Sequence, residues 1–264
     1  MIGTPVIGPR RPTRARPWPA RFRASLLTAL VLSLGATTPL KAADCRQALA
    51  LALDVSGSVD SREYMIQRRG LAAALLHPQV QEALLAPGPP VELMVFEWSG
   101  PGAQHTVLPW RAITSLTELR AVAARIDSAP RAALPPPTAL GSAMQHGIAA
   151  LGTRNCASLT LDISGDGKSN AGPRPAPLRR IAERADITIN ALVIGVQDSA
   201  AESQRIVTTA ELVAYFKANV IAGPGAFTET ALGFEEYEAA MVRKLLRELA
   251  TLQLSQRGSG TAFQ

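Results

Sequence analysis

Apolar positions along this chain of 264 residues fall into short continuous runs separated by stretches of helical periodicity. From Ala48 the text reads ALALALD, an apolar run that stops at Asp54 and a Ser/Gly turn. Such a run is the mark of a strand covered on both faces in a parallel sheet. Residues 61–76 carry apolar side chains at helical spacing, and His77-Pro78 halts that pattern. Pro87-Gly88-Pro89-Pro90 is a rigid turn into a strand over 91–96, and a Gly/Pro/Ser connection leads to a strand near 105–108. So short a link predicts antiparallel pairing, because a parallel crossover needs a dozen or more residues.

Further on, Leu116, Leu119, Val122, Ala123 and Ile126 stripe one side of a helix expected over 115–128. A helix over 138–151, a strand over 158–163, a Gly/Pro loop with a short helix, and a strand over 188–193 follow. A helix over 212–220, a short strand near Phe227 and a closing helix over 233–250 complete the pattern. Strands alternating with helices predict an α/β fold: a doubly wound, mostly parallel sheet with helices on both faces. Ligands of such sheets collect beyond the strand carboxyl ends, where the strand order reverses.

The first 43 residues have a different character. They hold six Arg and one Lys and no acid, with Arg10 to Arg23 preceding an apolar run over 24–36. A basic region before a short apolar run is expected to be a secretory signal peptide, cleaved near Ala42 or Ala43. Export places the mature chain in the periplasm or outside the cell. Removing the leader's seven basic residues from the chain's 27 leaves 20 against 21 acidic groups, so the high isoelectric point belongs to the leader. No basic patch interleaved with aromatics remains, which speaks against nucleic acid as a partner. No later apolar stretch is long enough for a membrane span. One domain is expected over 44–250, with a flexible tail over 251–264; the oligomeric state is not legible.

The candidate chemistry sits where two apolar runs end. Asp54, Ser56 and Ser58 place a carboxylate and two hydroxyls on one turn, and oxygen-only ligands suit a hard divalent cation such as Mg²⁺ over Zn²⁺. Taken alone, the same residues also describe a simple Ser/Gly turn. Thr138 follows Pro135-Pro136-Pro137 and reads equally as a helix N-cap and as a ligand, two compatible roles. Asp166 ends the run 159–167 between two glycines, either as a ligand or as an Asp-Gly turn residue. Asp162 lies inside that run and reads as a satisfied strand polar group.

In that order, Asp54-Val55-Ser56-Gly57-Ser58, Thr138 and Asp166 resemble the metal-ion-dependent adhesion site of von Willebrand factor type A domains. Val95-Phe96-Glu97-Trp98-Ser99-Gly100, Ile163-Ser164-Gly165-Asp166-Gly167 and the stretch from Val220 to Phe227 resemble an exported bacterial branch of that superfamily, catalogued as a domain of unknown function. The resemblance implies a six-stranded sheet in the order 3-2-1-4-5-6 with strand 3 antiparallel. It also implies Mg²⁺, or another hard divalent cation such as Mn²⁺ or Ca²⁺, held by Asp54, Ser56, Ser58, Thr138 and Asp166. The ion's open position would go to an Asp or Glu of a protein partner, making the chain an adhesion-type binding module and not an enzyme. One departure is Gly165-Asp166-Gly167, where the superfamily usually has Thr-Asp-Gly.

Other readings have less behind them. Asp54 together with Gly165-Asp166-Gly167-Lys168-Ser169-Asn170 faintly resembles haloacid-dehalogenase-like, Mg-dependent phosphatases. That chemistry usually needs a second Asp two residues after the first, and Ser56 stands there. His77, His105 and His146 are scattered and read as surface or helix-end residues. Ser56-Gly57-Ser58 is no nucleophile elbow, and no Gly-rich phosphate loop ends in Gly-Lys-Ser/Thr. Glu97 reads as a hydrogen-bonding group behind the metal loops or as a solvated rim carboxylate; Trp98 reads as a partner contact or as packing over a strand end. Cys45 and Cys156 precede Asp54 and Asp166 by nine and ten residues. Parallel neighbouring strands, about 4.8 Å apart, would bring both thiols within disulfide reach. The compartment favours that bond, and closing so long a loop is worth roughly 4–5 kcal/mol in the chain-entropy model.

Overall fold

A computed structural model describes residues 43–195 and 202–259. The expected leader, apart from its last residue, and residues 260–264 of the expected tail lie outside the described residues. Six strands, β1 (Gln47–Asp54), β2 (Val91–Trp98), β3 (Gln104–Ile113), β4 (Leu159–Gly165), β5 (Ile187–Ile194) and β6 (Thr228–Ala231), form one sheet. Their order is β3-β2-β1-β4-β5-β6, and only the β2–β3 pair is antiparallel. This is the sheet that the alternation and the resemblance implied.

The alternation in β1 decides how the layers pack. Leu49, Leu51 and Leu53 point into a core shared with α1 (Ser61–Leu75), α2 (Pro78–Leu84), α3 (Leu116–Ser128) and α7 (Tyr237–Ser259). Ala48, Ala50 and Ala52 face the opposite core with α4 (Leu140–Leu151), α5 (Pro175–Arg184) and α6 (Glu202–Asn219). Each buried Leu contributes about 1.5–3 kcal/mol. The small alanines leave room for α4 to lie close on the sheet. That helix begins at a tight seam: a Cβ on Gly141 would stand 2.0 Å from the Pro173 carbonyl oxygen, so only glycine fits there.

Opposite the strand carboxyl ends, Cys45 and Cys156 face each other across a parallel bridge and form a disulfide, with Cα atoms 4.6 Å apart. Beside it, the Arg46 guanidinium donates to the carbonyls of Ala83, Leu84 and Ala86 at 2.6–2.7 Å and so closes the end of α2. Among the described residues no helix is long and apolar enough to cross a membrane.

Several boundaries differ from those the sequence suggests. His77-Pro78 ends one helix but also starts α2, since Pro at the first helical position is preorganised. Val80 and Leu84, one turn apart, then seat α2 on the core. Strand β3 continues through Pro109 to Ile113; it is an edge strand, where Pro interrupts no interior ladder and register shifts absorb it. Helix α6 begins at Glu202, and α7 runs on from Ala250 to Ser259 with no residue before Gly258 to break it. His146 is not a helix-end residue: it sits inside α4 with its ring 4.6 Å from that of Phe96.

Candidate metal centre

The sheet order reverses between β1 and β4, which run parallel with Ala52 opposite Ile163. Two residues on, Asp54 and Gly165 stand side by side, and a Cβ on Gly165 would lie 3.5 Å from Asp54 Oδ2. Glycine in place of a larger residue here also lets Phe216 and Trp98 close over the strand ends, at 3.2 and 3.6 Å from that Cβ position. Asp54 and Ser56 are fully buried, Thr138 and Asp166 nearly so, and Ser58 is exposed.

The five predicted residues meet through their oxygens. Ser56 N–H donates to Asp54 Oδ1 at 2.8 Å, which folds the turn back over the end of β1. Ser56 Oγ lies 3.2 Å from Ser58 Oγ, and Ser58 Oγ donates to Asp166 Oδ1 at 2.8 Å. Thr138 Oγ1 donates to Ser56 Oγ at 3.2 Å. Three loops far apart in the chain thus present two carboxylates and three hydroxyls to one place. The N-cap of α4 is Ala139, without a side-chain cap, so the Thr138 hydroxyl is spent on the site and not on the helix.

Asn170 is a residue that motif reading missed. Its Oδ1 accepts the Thr138 N–H and its own N–H donates to the Thr138 carbonyl, both at 2.9 Å. This reciprocal pair ties the loop after β4 to the start of α4. Its sequence signal was slight, an Asn four residues after the Asp in a Gly/Ser loop. Glu97 is buried and hydrogen-bonded, which settles against a solvated rim group; Trp98 is buried in the core beneath the site and offers a partner nothing. Asp162, as expected, points elsewhere, into an ion pair with Lys244.

Burial raises the Asp54 carboxyl to about 8, with the neighbouring Asp166 charge adding to it. The Ser56 hydrogen bonds and the Arg131 charge act in the opposite sense. Asp166 is likewise held above the ordinary range by burial, less so for its bond from Ser58. Among the described residues no Lys, Arg or His forms an ion pair with either group. Asp54 Oδ2 is buried without a hydrogen-bond partner. An unpaired buried carboxylate is costly unless a cation compensates it. An orphaned carboxylate oxygen on a residue grouped with four other oxygen-bearing side chains fits a hard divalent ion.

Strand order and switch-point loops together define a von Willebrand factor type A-like domain. Within that class, the chain belongs to the family described as protein of unknown function (DUF1194), whose profile matches residues 44–253. No curated protein matches it. Among solved structures, proximal thread matrix protein 1 from the mussel byssus superposes with a TM-score of 0.55 at 15% identity, over 79% of this chain and 49% of that one. The pilus adhesin SpaC from Lactobacillus rhamnosus GG superposes with a TM-score of 0.54 at 14% identity, over 79% of this chain and 30% of that one. A structure of the mussel protein described as having a zinc-occupied MIDAS motif gives 0.52 at 18% identity, over 79% and 48%. The chain therefore spans half or less of each, and at these identities the likeness is one of fold.

Proposed function

We propose that this chain is an exported, divalent-metal-dependent protein-binding module in which Asp54, Ser56, Ser58, Thr138 and Asp166 hold Mg²⁺, Mn²⁺ or Ca²⁺. The observation that carries the reading is the buried Asp54 oxygen without a partner, on a residue whose turn supplies Ser56 and Ser58 to a cluster of hydroxyl and carboxylate oxygens. The mussel protein described with a zinc-occupied MIDAS motif supports divalent-cation binding, and the pilus adhesin supports a binding role.

When bound, the ion supplies an open coordination position to an acidic side chain of another protein. The chain's own residues do the rest. Asp54 and Asp166 provide the negative charge, and their near-complete burial keeps the field on the ion from being screened by water. The hydroxyls of Ser56, Ser58 and Thr138 would fill further positions without adding charge, so the loaded site is formally neutral and does not repel an acidic partner as a third carboxylate would make it do. Mg²⁺ takes about six oxygens, and five from the protein leave room for one more. A disulfide at the opposite end of the sheet accords with an oxidising compartment such as the periplasm.

Capture from periplasmic extract tests this. Purified protein should retain a partner in Mg²⁺ and release it in chelator, and Asp54→Ala should retain none while melting as a folded protein. Binding that survives both chelation and Asp54→Ala rejects the bridge.

A further inference from the structure

Residues 129–137 join α3 to α4 without regular structure and deliver Thr138 to the site. Pro135, Pro136 and Pro137 have no N–H to donate, so the end of this segment cannot be pinned through its own amides. It is held by others. Gly57 N–H donates to the Pro136 carbonyl at 2.7 Å. Upstream, the Ala132 N–H donates to Glu97 Oε2 at 3.0 Å, and the other oxygen of Glu97 accepts from Tyr64 OH at 2.6 Å. That hydroxyl also lies 3.3 Å from the Ala129 carbonyl. Arg131 donates from Nη2 to the Val55 and Ser56 carbonyls at 3.0 and 3.2 Å, with its guanidinium 5.7 Å from the centre of the Tyr64 ring.

These contacts converge on one effect. Glu97 comes from the end of β2, Tyr64 from α1 and Arg131 from the segment itself, and none of them is among the five residues of the candidate site. Together they press the proline segment onto the turn that carries Ser56, which fixes how far the Thr138 hydroxyl stands from the Ser56 hydroxyl. Arg131 reads the turn's backbone and Glu97 reads the segment's backbone, so the coupling does not depend on which side chains the turn carries.

We propose that Glu97, Tyr64 and Arg131 are positioning residues that set the divalent-ion affinity of the site by clamping the 129–137 segment onto the Ser56 turn. The proposal rests on the metal reading given above. Groups behind metal ligands typically cost 10–100-fold in affinity when removed. The test is Mn²⁺ titration of the purified protein followed by electron paramagnetic resonance, with melting curves in chelator beside it. Arg131→Ala and Glu97→Ala should each raise the Mn²⁺ dissociation constant by about 10–100-fold. Glu97→Gln should recover most of the loss, since an amide can accept from Ala132 and donate to the Tyr64 oxygen. Arg131→Lys should recover less, because an ammonium lacks the planar fork that reaches two carbonyls.

A double-variant cycle separates positioning from general weakening. If the clamp acts through Thr138, Arg131→Ala should cost much less affinity in a Thr138→Ala background than in the wild type. Should Glu97→Ala fail to fold, the half-buried Arg131→Ala and the conservative Tyr64→Phe decide the matter. Constants within about two-fold of wild type for both would overturn the clamp. Fully additive losses with Thr138→Ala overturn it too. Wild-type protein that takes up no Mn²⁺ would instead remove the metal reading, and this proposal with it.

Discussion

Two pairs of buried carboxylates each take one member from β4 or the loop after it, Asp162 with Glu248 of α7 and Asp166 with Asp54 of β1, and the fold treats them differently. Below the site, Asp162 of β4 and Glu248 of α7 share Lys244, whose Nζ lies 2.6 Å from an oxygen of each. Asn190 donates to the same Glu248 oxygen at 2.8 Å and accepts the Phe227 N–H at 3.1 Å, which ties α7 to β5 and to the approach to β6. Above it, among the described residues, the hydrogen bonds to the Asp54 and Asp166 carboxylates come from hydroxyls and backbone. The lower cluster carries its cation in the chain; the upper one sets two carboxylates among hydroxyl oxygens and, among the described residues, forms no ion pair. A buried pair of like charges invites compensation, and the contrast shows that this fold can provide a lysine where the purpose is to fasten a helix.

The comparison can be broken most forcefully at Lys244. Lys244→Met leaves two carboxylates buried without a counter-charge and should cost about 3–5 kcal/mol in urea unfolding. Its Mn²⁺ affinity should stay near that of the wild type. A small stability loss there would mean the lower cluster is not the fastener described.

Next comes the mirror experiment. In wild-type protein a divalent ion at one hundred times its dissociation constant should add about 2.7 kcal/mol of stability. Asp54→Asn keeps an oxygen for the Ser56 N–H but removes the buried charge. In chelator it should therefore melt no lower than the wild type, and Mn²⁺ should raise its melting temperature little or not at all. A full metal-induced shift in Asp54→Asn would count against Asp54 as a ligand.

A pH series sharpens the same contrast. Burial holds Asp162 up to about 7, even with Lys244 and its hydrogen bond pulling it down, and Asp54 up to about 8. Unfolded carboxyls release their protons near 3.9, so between about 4 and these values the native state binds more protons than the unfolded one. Stability in chelator should accordingly be greatest at the acid end of that window and fall as pH rises through 7 and 8. Saturating Mg²⁺ should flatten the part due to Asp54 and leave the part due to Asp162. A profile unchanged by Mg²⁺ argues against the upper site.

The smallest effect is expected at Asp60. This exposed carboxylate is already occupied: it accepts the Glu63 N–H at 2.8 Å while Glu63 accepts its own N–H at 2.8 Å, a capping box at the start of α1. Asp60→Ala should cost about 1 kcal/mol and leave Mn²⁺ affinity unchanged. A large affinity loss would show that any acid near the turn contributes, not the buried pair alone.

Much of this was legible beforehand because it is local. An apolar run that stops at a carboxylate describes β1 and Asp54 together, and the spacing of Ser56 and Ser58 places their hydroxyls on the same turn. Features that escaped were those whose meaning depends on a distant neighbour. His77-Pro78 looked only like a stop until Val80 and Leu84 found a core to pack on. Glu97 had two readings until Tyr64 and Ala132 supplied its partners.

Lys244 and Glu248, four residues apart, carry the spacing of a solvated helix face, and only the packing of α7 turns them inward.

The sequence by itself determined the alternation of strands and helices, the two-faced pattern of β1 and the residue types that could serve a hard cation, because periodicity and turn chemistry act over a few residues. Tertiary structure alone decided that Thr138 serves the Ser56 turn instead of capping its helix, and that Asp162 is neutralised by a lysine while Asp54 is not. Those outcomes depend on which loops and faces meet after folding, and burial turns such a meeting into either an ion pair or a carboxylate without one.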